Sequence, residues 1–192
     1  GLGDVYKRQR DELPQSGSGR TIMTAEPKFV PENAVSIELD ASVRASVRLI
    51  DSVGYMIPGA NGQYENGEER LVTTPWYDHE IPFTQAAELG TRKVITDHST
   101  IGIVVTTDGS FSDLPQETYL DAENQAISEL KKLHKPFLVL VNSSHPSSRT
   151  AREAAERIEK QHSVAAMPVN CAQLSEEDIR QIMEPVSYTH LT

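Results

Sequence analysis

Hydrophobic and polar residues alternate along the chain with two distinct periods, which together predict an α/β domain. Two stretches alternate with a period of two and predict the strands of an antiparallel hairpin: residues 34–40 and 45–49. Three short apolar runs rich in β-branched residues predict buried parallel strands: residues 101–107, 136–142 and 164–169. Apolar residues at helical spacing predict four helices: residues 83–98, about 115–134, Ser147 or Ser148 to Gln161, and 175 to about 183.

The order of these elements indicates the fold class. Hairpin, helix, strand, helix, strand, helix, strand, helix predicts a doubly wound, mostly parallel α/β sheet with one antiparallel edge hairpin. That order is typical of the Ras-like class of P-loop nucleotidases, here without the first strand, the P-loop and the first helix. The motif G-x-x-x-x-G-K-[ST] occurs nowhere in the sequence, and we expect it just upstream of residue 10.

The two ends of the chain fit no periodic pattern. Residues 1–9 and 185–192 resemble translated adapter read-through from sequencing, so we leave them out of the fold prediction. The remaining segment, residues 10–184, is predicted to be a partial P-loop nucleotidase domain. On this interpretation the natural chain continues in both directions and the sequence is an internal fragment.

The second strand of the predicted hairpin leads into Asp51-Ser52-Val53-Gly54, a D-x-x-G turn. In P-loop nucleotidases an aspartate at this strand end orders Mg²⁺, and the amide of the glycine faces the γ-phosphate. Ordinary turns also contain this short motif, which is therefore weak evidence alone. The sequence predicts Asp51 as a catalytic and metal-binding residue and Gly54 as a nucleotide-binding residue.

A threonine ahead of the hairpin is the second candidate catalytic and metal-binding residue. Thr24 lies in a polar loop punctuated by prolines, the position of a switch I threonine whose hydroxyl completes the Mg²⁺ shell. The alternative is a loop threonine without such a role. Residues 52–82 are predicted to form a long loop at the second switch position, and loops of that length are usually functional.

The strand at 136–142 ends where GTPases carry the base-reading motif N-K-x-D. Here the residues are Asn142, Ser143, Ser144 and His145, so the asparagine remains while the lysine and the aspartate are absent. Without the aspartate, two donors of guanine lack partners, at about 1–3 kcal/mol each. The sequence therefore predicts ATP rather than GTP, with Asn142 as a nucleotide-binding residue. The alternative is that this strand end binds no base.

Composition excludes several classes of function. The formal net charge is −10, which argues against a nucleic-acid partner. A single cysteine, Cys171, allows no internal disulfide and favours a reducing, cytoplasmic compartment. No apolar run approaches the length of a membrane span, and the six histidines have no metal-ligand spacing.

Long strings of residues resemble one family of proteins. They run through most of residues 10–184: Asp11–Ser16, Thr21–Thr24, Glu26–Pro31, Asp51–Tyr55, Thr74–Tyr77, Ile81–Phe83, Gly90–Ile95, His98–Gly102 and Thr106–Gly109. These strings resemble the stage IV sporulation protein A family, the spore-coat morphogenetic ATPases of endospore-forming Firmicutes. In that family Asp51 matches the Walker B aspartate on Mg²⁺ and Thr24 matches the sensor threonine. The second threonine that often follows is Ala25 here.

The resemblance implies a function for the whole protein. It implies a Ras-class fold that binds ATP and Mg²⁺ and whose hydrolysis of ATP drives self-assembly into a static polymer. The polymer would form the basement layer of the spore coat, in the mother-cell cytoplasm and peripheral to the forespore outer membrane. The implied partners are further copies of the chain, a small amphipathic membrane-anchor peptide, and later coat and cortex morphogenetic proteins. This fragment alone is predicted to be inactive because the P-loop lysine lies outside it.

Three alternatives remain at this point. The chain could belong to a GTPase-type molecular switch with an altered base site, or to a nucleotide-free structural module with a decayed nucleotidase fold. A serine or cysteine hydrolase is the weakest alternative. Ser143, Ser144 and His145 are adjacent, but adjacency at a strand end does not build a catalytic triad.

Overall fold

The computed structural model of the chain describes residues 28–40, 43–60 and 62–188. It shows mixed α/β structure, with one three-stranded sheet and three two-stranded sheets among these residues. The described residues fall into two compact units. The first contains residues 28–35 and 46–97, and the second contains residues 36–40, 43–45 and 98–188.

The predicted hairpin is present and its strands are longer than expected. β1 (Lys28–Asp40) pairs with β2 (Val43–Asp51). The guanidinium of Arg48 lies 4.4 Å from the centre of the Phe29 ring, a cation–π contact across the hairpin. In the described residues the two strands pair only with each other, so the predicted place of the hairpin at the edge of a larger sheet is not confirmed.

The stretch from 52 to 82, predicted as a long loop, contains four short strands, and that prediction was wrong. β3 (Tyr64–Glu65) and β4 (Glu68–Glu69) are joined by Asn66 and Gly67, both at positive φ, the geometry of a tight hairpin turn. β5 (Leu71–Thr74) pairs antiparallel with β6 (Tyr77–Pro82). These strands are short and mostly exposed, so they leave little hydrophobic pattern in the sequence.

The first described helix of the unit, α1 (Phe83–Lys93), follows β6 directly and ends in a π-helical turn, Val94–His98. The two together confirm the helix predicted over residues 83–98. Its buried residues Phe83 and Ala86 form a small core with Ile81, against which Val53 and Met56 pack. The segment that follows Asp51 is therefore fixed to α1 by apolar contacts.

The second unit contains a parallel sheet of three strands in the order β7-β8-β9. They are β7 (Gly102–Thr107), β8 (Phe137–Asn142) and β9 (Ala166–Val169). The helices are α2 (Leu120–Lys132), which a 3₁₀ turn at Gln116–Tyr119 precedes, α3 (Arg149–His162) and α4 (Glu176–Tyr188). All three strands and all three helices are confirmed, with ends shifted by a few residues. None of the described helices is long and apolar enough to cross a bilayer.

Packing against the sheet follows the alternation of strand residues. Leu138 and Leu140 of β8 pack with Val169 and with Ile182 of α4. On β7, a Cβ at Gly102 would lie 2.8 Å from Leu130 Cδ2, so any side chain there would force Leu130 of α2 to shift. The last helix continues into residues 185–188, part of the segment predicted to be adapter-like, and that interpretation stays a prediction.

A buried charged cluster joins β7, α2 and α3. The side chain of Glu123 is 1% exposed, and its Oε2 accepts a hydrogen bond from the Thr106 hydroxyl at 2.8 Å. Arg157 Nη2 lies 2.9 Å from Oε1 and donates to Oε2 at 3.1 Å. Through these contacts the Glu123 carboxylate connects α2 to β7 and to α3. An unpaired carboxylate at this buried position would be strongly destabilising.

Candidate functional site

Asp51, the predicted metal ligand, is the last residue of β2. It keeps an exposed surface, but enough protein surrounds the carboxylate for partial desolvation to raise its pKa above the ordinary value. A hydrogen bond from the Ser52 backbone and the charge of Lys28 oppose that shift without cancelling it. A nearby cation would favour the ionised form of this carboxyl group.

Gly54, the predicted nucleotide contact, closes the turn that begins at Asp51. Its φ is +82°, a conformation that residues with a side chain rarely adopt. Its N–H donates to the hydroxyl oxygen of Thr91 at 3.0 Å, and that hydroxyl donates back to the Gly54 carbonyl at 3.2 Å. The amide predicted to face a γ-phosphate therefore has a protein partner on α1.

The other two predicted site residues lie elsewhere. Thr24 is outside the described residues. Asn142 ends β8 in the second unit, where its Oδ1 accepts the backbone N–H of Cys171 at 3.0 Å and links the ends of β8 and β9. The structure thus places Asp51 and Gly54 on one turn of the first unit and gives Asn142 a structural bond at the edge of the parallel sheet.

The sequence analysis missed a polar network at that same edge. Ser143 is fully buried, and its hydroxyl donates to Asp108 Oδ2 at 2.6 Å. Oδ1 of Asp108 accepts from the backbone and the hydroxyl of Ser110, at 3.0 and 2.6 Å. The only signal in the sequence is a polar turn directly after a buried strand, at Thr107-Asp108-Gly109.

This network lines one side of a surface cleft at the carboxyl ends of β7 and β8. The cleft has a volume of about 360 Å³ and is bordered by polar residues: Asp108, Gly109, Ser110, Ser143, His145, Ser148 and Thr150. Ligands in open α/β sheets bind at this edge of the strands. Two of the lining residues, Ser143 and His145, belong to the strand end at which the sequence predicts a base-binding site.

Asp108 is expected to give the protein a pH-dependent stability. Its partial burial raises the pKa, but the hydrogen bonds from Ser110 and Ser143 outweigh burial and leave the pKa below its ordinary 3.8. Because the pKa is lower in the folded state than in the unfolded state, the ionised carboxylate stabilises the folded protein above pH 3.8. This stabilisation is lost as the pH falls below 3.8 and through the folded-state pKa. Asp108→Asn should therefore lower the free energy of unfolding by about 1 kcal/mol at pH 7, a value limited by solvent screening, and by less at pH 3.

Urea unfolding of the 192-residue chain at the two pH values measures this effect. Asp113→Asn, at an exposed aspartate, is the control and should leave stability unchanged at both. Equal destabilisation by Asp108→Asn at pH 7 and pH 3 would show that the network does not depend on the charge.

The described residues hold no metal site built from protein side chains alone. They contain no group of three or more histidine, cysteine, aspartate or glutamate side chains able to hold an ion. A nucleotide-bound Mg²⁺ does not need such a group, because one or two carboxylates suffice when phosphates supply the other oxygens. Asp51, a single carboxylate at a strand end, fits that requirement.

Comparison with known proteins identifies the family. Residues 3–190 match the family model described as stage IV sporulation protein A, ATPase domain. The chain belongs to the stage IV sporulation protein A family. The resemblance found in the sequence is confirmed.

Three curated relatives carry the name stage IV sporulation protein A. The relative from Clostridioides difficile (strain 630) is 49% identical over 181 residues, which cover 94% of this chain and 37% of the relative. The relative from Bacillus anthracis is 44% identical over 177 residues, covering 92% and 36%. That from Bacillus subtilis (strain 168) is 41% identical over 181 residues, covering 94% and 37%. The chain therefore spans little more than a third of these stage IV sporulation protein A relatives, and no solved structure matches it.

Proposed function

We propose that the full-length protein is an ATP-hydrolysing structural protein that assembles into the basement layer of the bacterial endospore coat. The observation that carries this proposal is the match of residues 3–190 to the ATPase domain of stage IV sporulation protein A. The identity of 41–49% with three relatives of that name supports it. The chain itself contributes part of the ATPase domain, which we place at residues 10–184 between adapter-like ends at 1–9 and 185–192.

The proposed mechanism assigns a role to each candidate residue. Asp51, ionised and acting through water, and the hydroxyl of Thr24 would hold Mg²⁺, which when bound neutralises charge on the β- and γ-phosphates. The Gly54 amide would donate to the γ-phosphate. Because Asp51 and Gly54 belong to one turn, the loss of the γ-phosphate would free the Gly54 amide at the start of the segment that leads to β3–β6.

The nucleotide is proposed to be ATP rather than GTP. A GTPase holds guanine with an aspartate, and His145 stands in that position. The one carboxylate lining the cleft, Asp108, already accepts three hydrogen bonds from Ser110 and Ser143. No carboxylate of the described cleft is therefore left to pair with both donors of guanine, which supports the loss of guanine preference.

Competition binding tests this proposal in the full-length protein. Labelled ATP should be displaced by unlabelled ATP at a concentration at least about tenfold lower than by GTP, because each unpaired guanine donor costs about 1–3 kcal/mol. Displacement of labelled ATP by GTP at a lower concentration than by unlabelled ATP would favour the GTPase-type switch. Absence of binding by either nucleotide would favour the structural module with a decayed fold.

The wider proposal includes architecture, location and partners. The doubly wound Ras-like sheet would be completed by a strand, a P-loop and a helix of the full-length chain, with the β1–β2 hairpin at its edge. The protein would act in the mother-cell cytoplasm at the forespore surface, peripheral to the outer membrane. Its partners would be further copies of itself, a small amphipathic membrane-anchor peptide, and later coat and cortex proteins. These assignments rest on family membership.

A further inference from the structure

We propose that Thr91 is a positioning residue that competes with the γ-phosphate of a nucleoside triphosphate for the Gly54 amide; this inference rests on the proposed function. The structure shows the amide bonded to the Thr91 hydroxyl at 3.0 Å. A backbone N–H offers one hydrogen, so a good hydrogen bond to the hydroxyl excludes an equally good one to a phosphate oxygen. Binding of the triphosphate would then require that the bond to Thr91 be broken.

The surroundings of Thr91 make it an effective competitor. The residue is 6% exposed, so little water reaches its hydroxyl. The contact is reciprocal, since the same hydroxyl donates to the Gly54 carbonyl at 3.2 Å. One buried side chain thus satisfies both backbone groups of the glycine that the triphosphate would engage.

The surroundings of Gly54 allow the bond to be exchanged. Apart from its two chain neighbours, no atom of the described residues lies within 4 Å of the position a Cβ would take, so the space beside the glycine is open. On either side of it, Val53 and Met56 pack against the core formed by Ile81, Phe83 and Ala86. The peptide at Gly54 can change its partner while these apolar contacts hold the segment on α1.

This arrangement predicts a difference between two ligands. A nucleoside triphosphate would break the Thr91 bond, and a diphosphate, which has no γ-phosphate, would leave it intact. Thr91 would therefore weaken binding of the triphosphate selectively and set the ratio of the two affinities. Because Thr91 belongs to α1, breaking or forming its bond to Gly54 would also couple that helix to the state of the nucleotide.

The test compares Thr91→Val, which removes the hydroxyl, with Thr91→Ser, which keeps it, in the full-length protein. The probes are ADP and a non-hydrolysable ATP analogue, each with Mg²⁺. In Thr91→Val the ratio of analogue affinity to ADP affinity should rise about three- to tenfold, the effect of one hydrogen bond, and Thr91→Ser should keep the wild-type ratio. Thr84→Val is the matched control, because its hydroxyl lies on the same helix but accepts from Gln63 at 3.1 Å.

A second measurement needs no variant and therefore does not depend on folding of Thr91→Val. The Thr91 methyl resonance of the labelled wild-type protein should shift on addition of the analogue and stay in place with ADP. An unchanged resonance with the analogue, or an unchanged affinity ratio in Thr91→Val, would overturn the inference while nucleotide binding itself persisted. If the wild-type protein bound neither probe, the proposed function would fall and this inference with it.

Discussion

In the full-length protein, Asp51→Asn is expected to slow ATP hydrolysis about 10–100-fold, the usual effect of removing a partner that acts on a metal through its bound water. An asparagine has nearly the same shape but no negative charge to hold the Mg²⁺ and its water shell. Release of phosphate at saturating Mg²⁺ and ATP measures the effect. Asp51→Asn is expected to lower activity more than a substitution at any other described residue, because Asp51 is the only candidate metal ligand among the described residues.

The control and the pH profile make this result specific. Asp113→Asn changes an exposed aspartate of the second unit and should leave the rate unchanged. Because partial desolvation raises the pKa of Asp51 above 3.8, the wild-type kcat/KM, which reflects the protein before Mg²⁺ and ATP bind, should begin to fall at a higher pH than an ordinary aspartate would cause. A wild-type rate in Asp51→Asn would remove this residue from the mechanism.

Arg157→Met is expected to cause the largest loss of stability, about 3–5 kcal/mol in the free energy of unfolding. The substitution would leave the carboxylate of Glu123, which is 1% exposed, with only the Thr106 hydroxyl as a described hydrogen-bond partner. Glu123→Gln should cost less, because the side chain of Arg157 is 31% exposed and can still reach water. Urea unfolding of the 192-residue chain measures both values.

A double variant separates the ion pair from simple packing. Glu123→Leu with Arg157→Met removes both charges and should recover most of the stability lost in Arg157→Met, since apolar replacements of buried pairs are often tolerated. Arg149→Met, which breaks an exposed pair with Glu153 one helical turn away, is the control and should have no measurable effect. Equal losses in Arg157→Met and in the double variant would contradict the account.

The elements of the second unit could be predicted because their signals are local. A strand such as β8, buried on both faces, leaves a continuous apolar run. Ser148 caps the start of α3, because its side chain accepts the N–H of Ala151 at 3.1 Å. The strands β3–β6 lack such a signal because they are short and mostly exposed. Whether the hairpin joins a larger sheet depends on pairing between distant segments, which no local pattern reveals.

The same distinction applies to the candidate site. Asp51 and Gly54 could be predicted because a strand leading into D-x-x-G is a contiguous motif. Thr91 could not, since its partner lies 37 residues away in the sequence. The bond between Ser143 and Asp108 likewise spans 35 residues. Side chains that act by contacting a distant turn are found only once the fold brings them together.

The central claim is that a Mg²⁺–ATP site containing Asp51 drives assembly. The most direct measurement is sedimentation of the full-length protein with ATP, with a non-hydrolysable analogue and without nucleotide, in the wild type and in the double variant Asp51→Ala with Thr24→Ala. The account predicts that the wild type sediments as polymer only with ATP and that the double variant stays in the supernatant in all three conditions. Normal assembly of the double variant, or equal assembly of the wild type without nucleotide, would contradict it.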